Sequence, residues 1–65
     1  MKLYDCKNKI TLYTGEDHNR VELYDFDKLE HIMINGVSNI RITCGNRYYY
    51  FKTIETAISE IEIYN

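Results

Sequence analysis

The strongest constraint on the fold is a β-hairpin predicted between residues 39 and 53. Residues 39–44 alternate in polarity, Gly45 and Asn46 suit a two-residue turn of the primed types, and residues 47–53 form the returning strand. A turn of this length determines the register of the two strands. One face of the hairpin then holds Ile40, Ile42, Tyr49 and Phe51, and the other holds Arg41, Thr43, Tyr48 and Tyr50.

The length and composition predict one small folded domain, residues 1–65. Hydrophobic residues make up 45% of the chain and charged residues 28%, which argues against disorder. Nine isoleucines, seven tyrosines and the absence of proline favour strands. Because a domain of this size has a small core, an additional stabilising element such as a partner subunit is expected.

Two further regions of the chain have strand character. Residues 3–6 and 10–14 flank a polar turn, and residues 20–26 alternate in polarity. The segment 27–35 supports two interpretations. Asp27 and Glu30 resemble a capping box at the start of a helix that Gly36 would end, whereas the alternation of residues 31–34 favours a strand. Both remain open.

The last residues predict an amphipathic helix. Thr53 suits the N-cap, and Ile54, Ala57, Ile58 and Ile61 are spaced as one apolar stripe of a helix. The expected fold is therefore α+β. A small antiparallel β-sheet of about four to six short strands packs against this C-terminal amphipathic helix.

The residue types that carry catalysis or bind metals do not form a recognisable motif. Cys6, Cys44, His18 and His31 lack the paired spacings of zinc sites. Cys44 lies opposite Arg47 in the predicted hairpin, but no histidine can be placed beside it as a base. There is also no glycine-rich phosphate loop. We therefore expect no enzyme activity, no cofactor and no metal, and we expect both cysteines to be thiols in the cytoplasm.

Two surfaces are candidates for binding. The first combines Tyr48 and Tyr50 with Arg41 and Arg47, and a cation–π pair between Arg41 and Tyr50 is expected. Tyrosine and arginine are frequent hot spots of protein interfaces, and exposed aromatic residues also stack on single-stranded nucleic acid. The alternative is that a second layer covers these tyrosines. The other candidate is the acidic segment 16–30, with Glu22, Tyr24 and Asp25, whose alternative is a solvated face.

The expected function is a non-catalytic protein-binding module that acts stoichiometrically. The net charge of −2 is too small to indicate nucleic acid or membrane binding, and no apolar run is long enough to span a membrane. The partner would be a protein, for example a nucleic-acid-processing host protein. Small size and composition suggest a phage or mobile-element inhibitor of a bacterial host factor, such as an anti-CRISPR or other anti-defence protein. The alternatives are a small nucleic-acid-binding domain and a homodimeric assembly subunit.

Overall fold

The computed structural model describes residues 6–64 and consists almost entirely of strands. The strands are β1 (Asn8–Thr14), β2 (Asn19–Tyr24), β3 (Lys28–Ile34), β4 (Val37–Cys44), β5 (Arg47–Lys52) and β6 (Thr56–Ile63). They form two antiparallel three-stranded sheets with the orders β2-β1-β6 and β3-β4-β5. A 3-10 turn, Thr53–Glu55, connects β5 to β6. The strand predicted at residues 3–6 lies, apart from Cys6, outside the described residues.

The predicted C-terminal helix, and with it the α+β fold class, is wrong. Residues 56–63 form strand β6, which pairs with β1. A bulge explains the misleading spacing. Ile61 lies opposite Ile10 and Ile58 lies opposite Leu12, so that Ser59 is the extra residue between them. Two isoleucines three positions apart therefore share one face of a strand, as they would share one face of a helix.

The bulge at Ser59 allows a test of whether residues 56–63 form a strand or a helix. Deleting Ser59 leaves the pairs Ile58–Leu12 and Glu60–Thr11 in place and makes β6 regular, so we expect the free energy of unfolding to change by about 0.5 kcal/mol or less. In a helix, the same deletion would rotate Ile61 away from the stripe. Inserting an alanine after Glu60 is the matched control, because it moves Ile61 and Ile63 to the opposite face of the strand. Urea unfolding measures both variants; a strongly destabilised deletion variant would contradict the strand pairing.

The segment 27–35 is mostly strand and not helix. Residues 28–34 form β3, and Asn35 and Gly36 form the turn to β4 with φ angles of +49° and +80°. Two successive positive φ angles define a type I′ hairpin turn, for which Asn-Gly is the preferred sequence. Gly36 therefore closes a hairpin and does not end a helix, and Asp27 and Glu30 do not form a capping box.

The hairpin predicted between residues 39 and 53 is confirmed, with its register. Cys44 lies opposite Arg47, Ile42 opposite Tyr49 and Arg41 opposite Tyr50. Gly45 has a φ of +64°, as the first residue of a primed turn permits. The prediction of which side chains share a face of this hairpin is therefore also correct.

The core is small and both sheets contribute to it. Within residues 6–64, the fully buried large side chains are those of Ile10 and Leu12 from β1 and Ile42 from β4. Around them pack the partly buried residues Val21, Leu23, Phe26, Ile40, Cys44, Tyr49 and Phe51. Each sheet thus has an inner face that meets this core and an outer face. The outer face of β3-β4-β5 carries Arg41, Tyr48 and Tyr50, because these residues alternate with the core residues.

Candidate functional site

The main candidate site is the outer face of β3-β4-β5, here called the tyrosine face and defined by Lys28, Glu30, Arg41, Tyr48 and Tyr50. Backbone register places Arg41 between Glu30 on β3 and Tyr50 on β5. Tyr48 is 58% exposed and Tyr50 is 48% exposed. No second layer of the described chain therefore covers these tyrosines, which decides between the two alternatives that the sequence left open.

Contacts to neighbouring side chains hold Arg41 in place. Its Nε and Nη2 donate hydrogen bonds to Glu30 Oε1 at 2.9 and 2.7 Å. Its guanidinium carbon lies 5.2 Å from the centroid of the Tyr48 ring, within the range of a cation–π interaction. The expected pair with Tyr50 is thus replaced by a pair with Tyr48, the diagonal neighbour. The salt bridge to Glu30 and the ring contact together orient the guanidinium across the sheet.

The carboxylate of Glu30 pairs with both cations of the tyrosine face, Lys28 and Arg41. The hydrogen bond from Arg41 lowers the pKa of Glu30, and Lys28, whose Nζ lies 3.3 Å from Glu30 Oε2, lowers it further. The same hydrogen bond raises the pKa of Arg41, to which Tyr50 also contributes. Both groups are therefore ionised and paired at neutral pH. A binding surface whose side chains are already oriented loses less conformational entropy when it binds.

Arg47 does not belong to the tyrosine face, although it was predicted as a binding residue with Tyr48 and Tyr50. It lies opposite Cys44 at the turn, and alternation along β5 places it on the side of Tyr49 and Phe51. Its side chain is exposed there, beyond the end of the core. Arg41 is thus the arginine that the structure brings together with the two tyrosines.

The second predicted surface, segment 16–30, is divided between the two sheets, since Glu22 lies on β2 and Glu30 on β3. Glu22 has partners on its own sheet. Lys9 Nζ lies 3.5 Å from Glu22 Oε2 and 3.4 Å from Glu62 Oε2, and Arg20 also reaches Glu22, at 3.3 Å. Tyr24 is half-buried on the same outer face. Asp25, beyond the end of β2, accepts a hydrogen bond from the backbone N of Lys7 at 2.6 Å. These contacts within the chain favour a structural role for this surface.

Asp27 joins three parts of the chain, a role that the sequence reasoning missed. Its Oδ1 accepts a hydrogen bond from Lys7 Nζ at 3.0 Å, and its Oδ2 accepts one from the backbone N of Gly45 at 2.8 Å. Its own backbone N donates to the carbonyl of Thr43. The connection between the two sheets is therefore tied to the β4–β5 turn and to the residue before β1. Asn35-Gly36 is a typical hairpin turn sequence, and it predicts that the residues before it form a strand. That prediction argues against a helix capped by Asp27.

The cysteine and histidine residues are dispersed. In the part of the chain that the structure describes, no three His, Cys, Asp or Glu side chains lie close enough to hold a metal ion. Burial raises the pKa of the Cys44 thiol, and the carboxylates of Asp27 and Asp25 raise it further, so the thiolate is disfavoured. His31 Nε2 and Ser38 Oγ form a hydrogen bond, and Ser38 Oγ is also 2.9 Å from Thr53 Oγ1. This chain of contacts ties β3 and β4 to the 3-10 turn.

Within residues 6–64, no helix has the length and apolar character needed to cross a membrane. Comparison of the chain with protein-family models, with curated proteins and with solved structures finds no match.

Proposed function

We propose that this protein is a non-catalytic, stoichiometric protein-binding module and that it binds its partner through the tyrosine face. The observation that carries this proposal is the exposure of Tyr48 and Tyr50 beside an arginine that is already oriented. Tyrosine and arginine supply much of the binding energy at protein interfaces because they combine apolar area with hydrogen-bonding groups. The neighbouring residues Ile34 and Val37, 37% and 40% exposed, extend the same face with apolar surface.

A protein partner fits the tyrosine face better than a nucleic acid. Phosphate binding requires cations that can exchange small counterions for phosphates. Arg41 instead forms two hydrogen bonds to Glu30, and Lys28 lies 3.3 Å from the same carboxylate. A phosphate would have to compete with this carboxylate for Arg41. A protein surface can pack on the tyrosine rings while the Arg41–Glu30 pair stays intact.

A narrower proposal concerns the partner and the consequence of binding. A domain with this small a core offers little room for a deep catalytic pocket, so an effect on another protein would come from occupying its surface. We propose inhibition of a bacterial nucleic-acid-processing protein by a phage or mobile-element product. Size and composition support this narrower proposal.

The test compares two cross-strand pairs of the same residue types. Tyr50 lies opposite Arg41 on the tyrosine face, and Tyr13 lies opposite Arg20 on the other sheet. We expect the wild type and the control variant Tyr13→Ala/Arg20→Ala to capture the same protein from bacterial lysate. The double variant Arg41→Ala/Tyr50→Ala should no longer capture it. With the captured protein purified, calorimetry should show a fixed stoichiometry. Each hot-spot residue should contribute about 2 kcal/mol or more, which is roughly a 30-fold loss of affinity.

Two outcomes would contradict the proposal. If both double variants capture the protein equally well, the tyrosine face is not the binding site. Labelled single- and double-stranded oligonucleotides, followed by fluorescence anisotropy at low and moderate salt, test the nucleic-acid alternative. Saturable binding that weakens steeply with salt and is lost in Arg41→Ala/Tyr50→Ala would support that alternative instead.

A further inference from the structure

The two sheets of the described chain have four edge strands, and β5 differs from the other three. Native proteins protect their edges with charged side chains and bulges that discourage further pairing. Strands β2 and β3 carry charges of both signs, and β6 carries Glu60, Glu62 and a bulge. Strand β5 reads Arg-Tyr-Tyr-Tyr-Phe-Lys, contains no acid, and pairs with β4 without a bulge. Its four central aromatic residues have high strand propensity.

We propose that β5 pairs antiparallel with β5 of a second copy of this chain, about a two-fold axis at Tyr50. The two sheets β3-β4-β5 then join into one continuous sheet of twice the width. Arg47 and Lys52 lie at the two ends of β5, and its uncharged, strongly β-forming centre is a template for such pairing. The interface is isologous, so that it closes after two copies and does not extend into a filament.

The backbone of β5 has the hydrogen-bonding groups that this pairing requires. Cys44 and Arg47 flank the two-residue turn and form its hydrogen-bonded pair, and such pairs alternate along the hairpin. The N–H and C=O groups of Tyr48, Tyr50 and Lys52 therefore point away from β4. Among them, the Lys52 carbonyl accepts a hydrogen bond from Thr56 Oγ1 at 2.7 Å. A two-fold axis at Tyr50 places Tyr50 opposite its counterpart and Tyr48 opposite Lys52 of the second copy. Every outward N–H of these three residues then has an acceptor. The Lys52 carbonyl, which has two lone pairs, accepts from both Thr56 Oγ1 and the Tyr48 N–H of the second copy.

The side chains are also compatible with this register. On the inner face, Tyr49 lies opposite Phe51 of the second copy, and on the outer face Lys52 can contact the ring of Tyr48. No two charges of the same sign lie opposite each other. Strand β6 provides the contrast. A two-fold axis at residue 61 places Glu60 opposite Glu62 of the second copy, and an axis at residue 60 or 62 places that glutamate opposite its own counterpart. A second copy therefore fits β5 and does not fit β6.

Sedimentation of the purified chain, with charge-swapped variants, tests the dimer. The wild type should sediment at twice the mass of the 7.8 kDa chain. Tyr50→Glu and Tyr50→Lys should each be monomeric at the same concentration, because like charges meet at the axis, and their mixture should restore the dimer. Met33→Glu, at an exposed position of the β3 edge, is the matched control and should remain dimeric. Circular dichroism confirms that each variant is folded.

Three results would overturn the proposal. They are a monomeric wild type at every concentration, a folded mixture of the two Tyr50 variants that stays monomeric, and loss of the dimer in Met33→Glu with retention in Tyr50→Glu. A monomeric wild type would mean that β5 does not pair with a second copy and is open to a strand of another protein. Loss of the dimer in Met33→Glu alone would place the interface at β3. The dimer is independent of the proposed function, since a monomeric wild type that still captures its partner refutes the dimer alone.

Discussion

Ile42→Ala is expected to leave most of the protein unfolded at room temperature. Ile42 is fully buried, and it is the residue of β4 that meets Ile10 and Leu12 of β1 in the centre of the core. Truncation of such a side chain costs about 2–5 kcal/mol through lost burial and the cavity that remains. A domain of this size has roughly 3–5 kcal/mol of stability from its core. The loss is therefore comparable with the whole free energy of unfolding.

Ile54→Ala is the matched control, because it removes the same atoms from a side chain that is 86% exposed in the 3-10 turn. The free energy of unfolding of this control should stay within about 0.5 kcal/mol of the wild type. Urea titration followed by circular dichroism compares the three proteins. Equal midpoints for Ile42→Ala and the wild type would show that the two sheets do not depend on this core. A dimer would add stability at high concentration, so the titration is made at low protein concentration.

The features of the fold that were predicted correctly are local in sequence. The β4–β5 hairpin depends on a two-residue turn and on the alternation of its flanking residues, both visible within 15 positions. The β3–β4 hairpin has an equally local signal in Asn35-Gly36, flanked by Ile32, Ile34 and Val37. The resemblance of Asp27 and Glu30 to a capping box left helix and strand both open for this segment. Turn chemistry was the better guide, because Asn-Gly specifies both φ angles of the turn.

The C-terminal strand could not be recognised from local pattern. Its isoleucines are spaced three apart because of the bulge at Ser59, and the bulge exists only in the pairing with β1, more than 40 residues earlier. Intrinsic strand preference argues against a helix here, since four residues of the segment are β-branched: Thr56, Ile58, Ile61 and Ile63. A helix of about ten residues would also have been marginal on its own. Pairing with β1 provides the tertiary contacts that decide the outcome.

The candidate site was predicted in part. Register alone places Arg41, Tyr48 and Tyr50 on one face, and the same alternation places Arg47 on the other face with Tyr49 and Phe51. The salt bridge between Arg41 and Glu30 could not be predicted, because the sequence supports both a helix and a strand for residues 27–35. The Arg41 guanidinium, which donates two hydrogen bonds to Glu30, lies over the Tyr48 ring.

Acidification is expected to destabilise the protein through Asp27. Hydrogen bonding to the backbone of Gly45, and then the ammonium of Lys7, hold the pKa of Asp27 below its ordinary value of 3.8. A carboxyl whose pKa is lower in the folded state stabilises that state above its unfolded pKa, and this contribution disappears as pH falls through the folded pKa. The melting temperature of the wild type should therefore fall as the pH drops from about 5 to below 3.

Substitution at Asp27 isolates its share of this pH dependence. Asp27→Asn should melt several degrees below the wild type at neutral pH, and the difference should shrink towards zero in acid, where Asp27 itself is protonated. Lys7→Met removes the ammonium and leaves the Gly45 hydrogen bond, which is the larger cause, so this variant should keep most of the wild-type pH dependence. Melting curves followed by circular dichroism across this pH range compare the three proteins. A constant difference between Asp27→Asn and the wild type at every pH would mean that the charge of Asp27 does not stabilise the connection between the sheets.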